Sequence, residues 1–347
     1  MPEMWAVVWH RRGDVRAQSW TLPDGPAPGW LRLRVTWCGL CGSDTAEYAR
    51  GPVVIPVTAH PVSGRHAPLV LGHEVSGVVI AGTDAFPAGT RVVTDTLLGC
   101  DACPACRAGQ VNLCPRLTAI GQQLDGGLAE FVDVPASTCL RVPDDLPMDV
   151  ATLAEPLAVG IRAVARAGDL TGARAVVLGT GPVGLVIAML LRKAEGPVVA
   201  VDPVAARREQ VAALTGLATA ADLSDVDSDD RAWVVFECAG SRSALAEAIA
   251  HMPARSRMVV VGIHDRATPI DMWATVHKEL ELVGSLSHDR GDFAAALEHL
   301  TADAAAYAGL ITHRTDLPGA VHALALAGHD APAGKVLAGP KGTPWTT

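Results

Sequence analysis

The cysteines of this chain are concentrated near its N-terminus, and one group of them is closely spaced. Four cysteines lie within fifteen residues: Cys100, Cys103, Cys106 and Cys114. Glycines and a proline between them allow the chain to bend around an ion, and four thiolates suit a closed, tetrahedral zinc site. We therefore predict a structural zinc lobe over about residues 99–115, in preference to an iron–sulfur cluster, buried thiols or disulfides.

A second set of potential metal ligands is dispersed along the chain. It comprises one thiolate, one imidazole and two carboxylates: Cys41, His73, Glu74 and Glu155. Each is a weak signal alone, because a lone histidine near a strand is more often packed in the core than bound to metal. Together they provide three protein ligands for a zinc ion with one open position, which is typical of catalytic zinc.

A glycine-rich segment follows a predicted strand and opens an apolar helix. It has the G-x-G-x-x-G spacing and consists of Gly179, Thr180, Gly181, Pro182, Val183 and Gly184. The first glycine permits a tight turn, the second lets the backbone approach a pyrophosphate, and the third allows close helix–strand packing. The helix N-terminus then faces the phosphates with free N–H groups. We predict a dinucleotide site here.

An acidic residue ends the next predicted strand. Asp202 follows Gly184 by 18 residues, and Arg207 lies shortly after it. A carboxylate at this position accepts hydrogen bonds from the adenosine ribose and repels a 2′-phosphate. The pattern favours NAD over NADP, although Arg207 can offset part of that discrimination.

Two kinds of element must position these groups. The first 140 residues contain short β-rich runs separated by proline and glycine, which is typical of an all-β region. From about residue 157, Val-rich runs alternate with helix-like stretches, which predicts a parallel sheet covered on both faces. The fold class is therefore α/β, with a doubly wound sheet in the second domain.

Composition excludes several classes of protein. The chain has 347 residues, a net charge of -9 and about half apolar residues, so it is neither disordered nor suited to a nucleic-acid partner. Its first residues lack a secretory pattern, and the longest nearly apolar stretch, residues 176–191, is shorter than a membrane span. We expect a soluble, cytoplasmic protein without a membrane partner.

The chain resembles the zinc-dependent medium-chain dehydrogenase/reductase family over nearly its whole length. The resemblance lies in the order of five motifs along the chain: CGLCGSD, LGHEVSG, the four-cysteine lobe, AEPLAVG and the glycine loop. AEPLAVG is more similar to the polyol branch (sorbitol, butanediol and threonine dehydrogenases) than to liver-type alcohol dehydrogenases, which have cysteine at the position of Glu155. The resemblance implies a GroES-like catalytic domain over 1–156, a Rossmann NAD-binding domain over 157–287, and a segment over 288–347 that returns to the catalytic domain.

The resemblance also implies roles for the ligands. Cys41, His73 and a carboxylate hold the catalytic zinc. Glu74 is often the direct third ligand in the polyol branch, and Glu155 then either binds the metal or orders its water. Which carboxylate binds zinc stays open at this point.

The proton relay is where the chain departs from the family pattern. Ser43 matches the hydroxyl that passes on the alcohol proton, and Asp44 matches a structural carboxylate. The family frequently has histidine two residues after that aspartate, whereas this chain has Ala46. The proton must leave by water, through the ribose hydroxyls, or by side chains nearby in sequence, for which the candidates are Glu47, His60 and His66.

The implied reaction is reversible oxidation of a secondary alcohol to a ketone, with zinc lowering the pKa of the alcohol and NAD accepting the hydride. The chain has few aromatic residues, and its loop over 52–68 contains the polar residues His60, Arg65 and His66. Both features favour a small hydroxyl-rich substrate, such as a polyol, vicinal diol, cyclitol or amino sugar alcohol. Alternatives are a biosynthetic ketone or imine reductase and, remotely, a silent NAD- and zinc-binding sensor. We expect a homodimer or homotetramer.

Overall fold

The computed structural model describes residues 3–227, 229, 231–264, 266–326 and 334–340. The chain folds as two units, of which unit 1 contains Met1–Glu155 and Asp289–Thr347, and unit 2 contains Pro156–His288. The sequence predicts domain boundaries at 156–157 and 287–288.

Unit 1 consists mainly of antiparallel strands with short helices. Its strands are β1 (Glu3–Arg11), β2 (Asp14–Thr21), β3 (Trp30–Gly39), β4 (Leu69–Val70), β5 (Glu74–Ala81), β6 (Arg91–Thr94), β7 (Leu97–Leu98), β8 (Thr118–Ala119), β9 (Phe131–Pro135), β10 (Cys139–Arg141), β17 (Ile311–Asp316) and β18 (Lys335–Gly339). Its helices are α1 (Gly42–Arg50), α2 (Pro104–Arg107), α3 (Met148–Ala151), α9 (Arg290–Ala302), α10 (Ala304–Ala308) and α11 (Leu317–Ala325).

The largest sheet of unit 1 has the order β10-β6-β5-β3-β18-β17, and β9 pairs with another part of β3. Alternate residues of β3, namely Leu31, Leu33 and Val35, point into one hydrophobic core, as the two-residue period of a strand requires. The C-terminal segment contributes β18, which pairs with β3. The predicted return of the chain to the first domain is therefore a strand addition.

Unit 2 contains a six-stranded parallel sheet with helices. Its strands are β11 (Arg174–Leu178), β12 (Val198–Val201), β13 (Ala218–Ala220), β14 (Trp233–Glu237), β15 (Arg257–Val260) and β16 (Glu281–Gly284). Its helices are α4 (Ala154–Ala167, beginning two residues before the unit boundary), α5 (Pro182–Leu191), α6 (Ala205–Thr215), α7 (Arg242–His251) and α8 (Met272–His277).

The sheet order of unit 2 is β13-β12-β11-β14-β15-β16. This is the doubly wound order: successive strands are added on one side of β11 as far as β13, and then on its other side from β14 onwards. Strands β11 and β14 are buried almost throughout, as expected for a parallel sheet covered on both faces. Among the described residues, no helix has both the length and the apolar character that crossing a membrane requires.

Candidate functional site

One potential site lies where three strands of unit 1 begin or end. The last residue of β3, Gly39, pairs with Glu74 at the start of β5 and, on its other side, with Leu337 of β18. Cys41 follows β3 by two residues, and Lys335 is the first residue of β18. Sheet register therefore brings together side chains from positions 41, 74 and 335.

Three predicted ligands converge at this edge. The ligand atoms of Cys41, His73 and Glu74 all lie within 4.8 Å of one another. Glu74 is fully buried, and its Oε2 has no hydrogen-bond partner among the described residues. A buried carboxylate oxygen without a donor is costly unless a cation compensates it. The donor set and this orphaned oxygen fit a zinc ion.

The predicted ligand Glu155 does not join this group of three. It is the second residue of α4, and its side chain is buried. Its negative charge contributes to raising the pKa of Lys335, so the two side chains are close enough to interact. Of the two carboxylates left open by the sequence, the structure brings Glu74 to the thiolate and the imidazole.

Asp44 supports two of the clustered ligands. Cys41 is the N-cap of α1, and its backbone N–H donates to Asp44 Oδ2 at 2.9 Å. Asp44 Oδ1 lies 3.6 Å from His73 Nδ1, and Ser43 Oγ lies 3.4 Å from Nε2 of the same ring. The separation of 3.6 Å is longer than a hydrogen bond, so Asp44 places a negative charge behind the imidazole ring without accepting a hydrogen bond from it.

The electrostatics of the cluster favour a cation. Burial lowers the pKa of His73, but the negative charges of Asp44 and Cys41 outweigh it and raise that pKa well above its ordinary value. The same field that holds a proton on the imidazole attracts a metal ion, which must displace that proton before it binds.

Lys335 is a site residue that we did not predict. Its Nζ lies 2.5 Å from Glu74 Oε1 and donates to the carbonyl of Leu40 at 3.1 Å, and both charged side chains are buried. Burial lowers the pKa of Lys335, but the charge of Glu74 raises it above its ordinary value. The available signal was a lone lysine opening the apolar strand KVLAG.

Glu47 serves the loop that follows α1. It is buried, and its carboxylate accepts hydrogen bonds from the backbone N–H groups of Val53, Val54 and Ile55. These bonds occupy the carboxylate that sequence proximity suggested as a proton acceptor. The structure therefore makes Glu47 an anchor for residues 53–55.

The other polar residues of the 52–68 loop also contact their own chain. The backbone N–H of Ser63 donates to His60 Nδ1 at 3.3 Å, Arg65 pairs with Asp125 at 2.5 Å, and the exposed His66 contacts the carbonyl of Ala67. Several exposed side chains of this loop are apolar: Val53, Val54, Val57 and Val62. The loop is therefore less polar than its sequence suggested.

The four-cysteine lobe forms a second potential metal centre. The four sulfur atoms lie within 4.8 Å of one another, and all eight cysteines of the chain are free thiols. Cys103 is the N-cap of α2 and accepts from the N–H of Cys106 at 3.4 Å, while Cys114 accepts from the N–H of Cys100 at 3.4 Å. Converging thiols with N–H donors fit a structural zinc ion.

Two thiols of this lobe have widely separated pKa values. A backbone N–H from Ala102 and the side chain of Arg116 lower the pKa of Cys100 to about 5. Burial, followed by the neighbouring Cys103 and Cys114, raises the pKa of Cys106 to about 11. The lobe cannot easily hold four negative charges without a cation.

The glycine loop joins β11 to α5 in unit 2. Gly179 has φ = 86°, a conformation that favours glycine. A Cβ on Gly184 would come within 1.9 Å of the Gly179 carbonyl oxygen, whereas a Cβ on Gly181 would meet nothing within 4 Å. The loop is thus tight at its two ends and open in the middle, next to Pro182 and Val183 at the start of α5.

Asp202 is tied to the same loop. Its carboxylate accepts from the N–H of Thr180 at 2.8 Å, from the Thr180 hydroxyl at 3.1 Å, and from the N–H of Val204 at 2.9 Å. Arg207 Nη1 lies 3.7 Å from it. Asp202 is only 1% exposed. Contact with a ribose therefore requires neighbouring side chains, such as that of Arg207, to move.

Two family models match the chain. Residues 27–144 match the alcohol dehydrogenase GroES-like domain, and residues 182–302 match the zinc-binding dehydrogenase domain. The chain belongs to the zinc-dependent medium-chain dehydrogenase family. These matches confirm the predicted family and the GroES-like and Rossmann fold classes. They also confirm that the chain is an oxidoreductase of the alcohol dehydrogenase type.

Named relatives of this dehydrogenase include polyol and diol enzymes. It is 33% identical to an (R,R)-butanediol dehydrogenase of Neisseria gonorrhoeae, over 82% of this chain and 84% of the relative. It is 28% identical to the sorbitol dehydrogenase of Gallus gallus, over 92% and 91%. The crystal structure of 2R,3R-butanediol dehydrogenase from Bacillus subtilis matches with a TM-score of 0.85 and 29% identity, covering 97% of this chain and all of that one.

Proposed function

We propose that this dehydrogenase oxidises a secondary alcohol of a small vicinal diol or polyol to the ketone, with NAD as the acceptor. The convergence of Cys41, His73 and Glu74 carries the proposal, because it supplies three zinc ligands in one buried cluster. The activities named for the butanediol and sorbitol dehydrogenases to which the chain is similar support the substrate class.

Two zinc ions per chain complete the proposal. Cys41, His73 and Glu74 would hold the first, which would supply Lewis-acid chemistry to the alcohol. The four thiolates of the lobe hold the second, which stabilises the loop over 99–115. Glu155 stays outside the ligand cluster, and we assign it to ordering water near the first site.

The residues around the first site have distinct tasks in this reaction. The Ser43 hydroxyl accepts the alcohol proton and passes its own proton on, and Asp44 places a negative charge 3.6 Å from His73 Nδ1. Lys335 neutralises Glu74 through its 2.5 Å contact. The reaction converts an alcohol and NAD⁺ into a ketone, NADH and a proton, which leaves Ser43 for water or the ribose hydroxyls because position 46 is alanine.

We infer that NAD is preferred over NADP. Asp202 directly follows β12, at the end of the strand where the adenosine ribose of a dinucleotide binds. Its negative charge opposes a 2′-phosphate, although Arg207 at 3.7 Å reduces that effect. Replacing Asp202 with serine should raise kcat/KM for NADP relative to NAD by about tenfold or more, and an unchanged ratio would contradict the assignment.

We also propose a cytoplasmic homo-oligomer. Cysteines grouped for metal binding rather than for disulfides support a reducing compartment. The edge strand β16 and exposed apolar side chains such as Trp273, Met272 and Val276 support association through unit 2. Light scattering coupled to size-exclusion chromatography measures the number of subunits, and a monomer would contradict this part.

The decisive experiment compares two cysteine variants. Zinc content and NAD reduction are measured for the wild type, for Cys41→Ser and for Cys139→Ser across vicinal diols, polyols and amino-cyclitols. Cys139 is a buried core cysteine outside both clusters and is the matched control. We expect Cys41→Ser to lose one of two zinc ions and nearly all turnover, while Cys139→Ser keeps both.

Two results of this experiment would contradict the proposal. Retention of both zinc ions and of turnover in Cys41→Ser would refute the catalytic metal site. Activity only with NADH and a ketone, with no diol or polyol oxidised, would favour the reductase alternative.

A further inference from the structure

The two carboxylate oxygens of Glu74 have different surroundings. Oε1 lies 2.5 Å from Lys335 Nζ, whereas Oε2 is buried and has no hydrogen-bond partner among the described residues. A buried carboxylate oxygen without a donor or a cation is costly. A metal ion at Oε2 would satisfy both oxygens, whereas a metal ion at Oε1 alone would leave Oε2 without a partner. Oε2 is therefore the oxygen that this site offers to a metal ion.

The side chain of Lys335 is held firmly in place. The backbone N–H of Lys335 donates to the Leu310 carbonyl at 2.8 Å. The next residue, Val336, accepts from the N–H of Leu40 at 2.9 Å, and Lys335 Nζ donates to the Leu40 carbonyl at 3.1 Å. Because the side chain is only 4% exposed, the ammonium group cannot leave Glu74 Oε1 for water without breaking buried hydrogen bonds.

Strand β3 confines the same carboxylate from another side. Gly39 pairs with Glu74, and a Cβ on Gly39 would come within 1.9 Å of Oε2 and 2.9 Å of Cδ. The glycine therefore makes room for the carboxylate, which lies close to the Gly39 backbone and in contact with Lys335. A carboxylate that binds one ion through both oxygens must turn toward that ion as a whole. The charge-assisted contact between Oε1 and Lys335 opposes that turn.

The number of oxygens that Glu74 contributes decides whether the site has room for a substrate. Cys41, His73 and one oxygen of Glu74 are three donor atoms, which leave the fourth position of a tetrahedral ion open, as in catalytic zinc sites. A second oxygen would fill or crowd that position. We propose that Lys335 is a positioning residue that restricts Glu74 to one-oxygen ligation and so keeps the substrate position open. This inference rests on the zinc site of the proposed function.

Crystal structures of the zinc-loaded wild type and of Lys335→Met measure the ligation directly. In the wild type we expect Glu74 Oε2 at about 2.0–2.2 Å from the ion and Oε1 more than about 2.8 Å from it. In Lys335→Met, both oxygens should lie within about 2.5 Å of the ion. Ligation through Oε1 or through both oxygens in the wild type, or through one oxygen in the variant, would overturn the proposal. The wild-type structure keeps the test valid if Lys335→Met does not fold.

A binding measurement in solution tests whether the open position is lost. Imidazole is a suitable probe, because it is a neutral metal ligand that depends little on the charge of Lys335. Its Kd is measured from the visible spectrum of cobalt-substituted protein without cofactor or alcohol, and the spectrum of Cys41→Ser supplies the contribution of the lobe. We expect the Kd to rise by about tenfold or more in Lys335→Met and to stay within about twofold of the wild type in Lys335→Arg. An unchanged Kd in Lys335→Met would overturn the proposal.

Two controls separate the second oxygen from other effects of the substitution. Lys278→Met removes another ammonium that donates to two backbone carbonyls, in unit 2 and outside the ligand cluster, and should leave the Kd for imidazole unchanged. Adding Glu74→Gln to Lys335→Met leaves a side chain with one oxygen, so the Kd should return to within about threefold of the wild type. A Kd that stays high in this double variant would contradict the proposed role.

Metal analysis of the wild type distinguishes the two levels of the proposal. One zinc ion per chain, at the lobe alone, would mean that the proposed catalytic zinc site fails. Two zinc ions per chain, with both Glu74 oxygens bound to the first, would mean that only this inference fails.

Discussion

Replacing Lys335 with methionine should strongly destabilise the metal-free protein. Methionine keeps much of the length of the side chain, but the ammonium group that lies 2.5 Å from Glu74 Oε1 and donates to the Leu40 carbonyl is lost. The side chains of both partners are almost fully buried, with 4% and 0% of their surface exposed. Removing one partner of a buried ion pair costs about 3–5 kcal/mol, because the remaining charge has no compensation. We expect a loss of this size in the free energy of unfolding.

Zinc should reduce this cost. A cation bound by Cys41, His73 and Glu74 compensates the carboxylate that the variant leaves unpaired, so we expect the loss to fall to about 1–2 kcal/mol in the metal-loaded protein. Urea unfolding followed by tryptophan fluorescence is measured for the wild type and Lys335→Met, each with zinc and after chelation. Because each comparison is made at one metal state, stripping of the lobe affects both proteins alike.

A double variant separates charge from packing. Adding Glu74→Gln to Lys335→Met removes the second charge as well, and it should recover most of the stability lost in the metal-free single variant. Arginine at position 335 keeps the charge and is the conservative control. A free energy of unfolding for metal-free Lys335→Met within about 1 kcal/mol of the wild type would show that the buried ion pair contributes little. A double variant less stable than the single one would show the same.

Three further predictions concern other groups. Because the fold raises the pKa of His73, protonation of this histidine stabilises the metal-free protein fully at pH values below its ordinary pKa, and this contribution is lost as the pH rises through the raised pKa. Zinc must displace the same proton, so zinc affinity should increase with pH above about 6.5. A chelator competition that gives a pH-independent affinity would contradict this. In metal-free protein at pH 7, iodoacetamide should modify Cys100, whose pKa is about 5, far faster than Cys106, whose pKa is about 11. Peptide mass spectrometry measures both rates of modification, and equal rates would contradict this order of the two pKa values. Glu47→Gln should lower the free energy of unfolding by about 1–3 kcal/mol, because a buried acceptor of several backbone N–H groups loses its charge. The control is Glu130→Gln, which affects one exposed contact to Trp5 and should lower the free energy of unfolding by less in the same urea assay.

Features that depend on contiguous residues were predictable. The four-cysteine lobe closes within fifteen residues, so its spacing alone brings the sulfur atoms into reach of one another. The glycine loop was equally predictable, because a tight turn after Gly179 and close packing at Gly184 are local requirements of a strand–turn–helix unit. The alternation of Val-rich strands and helices likewise indicated the parallel sheet of unit 2.

Tertiary structure decided which distant side chains share a site. Lys335 reaches Glu74 across 261 positions because β18 pairs with β3, and no local pattern encodes that pairing. The same applies to the choice of Glu74 over Glu155 in the ligand cluster and to the loop-anchoring bonds of Glu47. Local spacing determines turns and chelating loops, whereas the partners of a buried charge depend on sheet register and on which groups lose their water together.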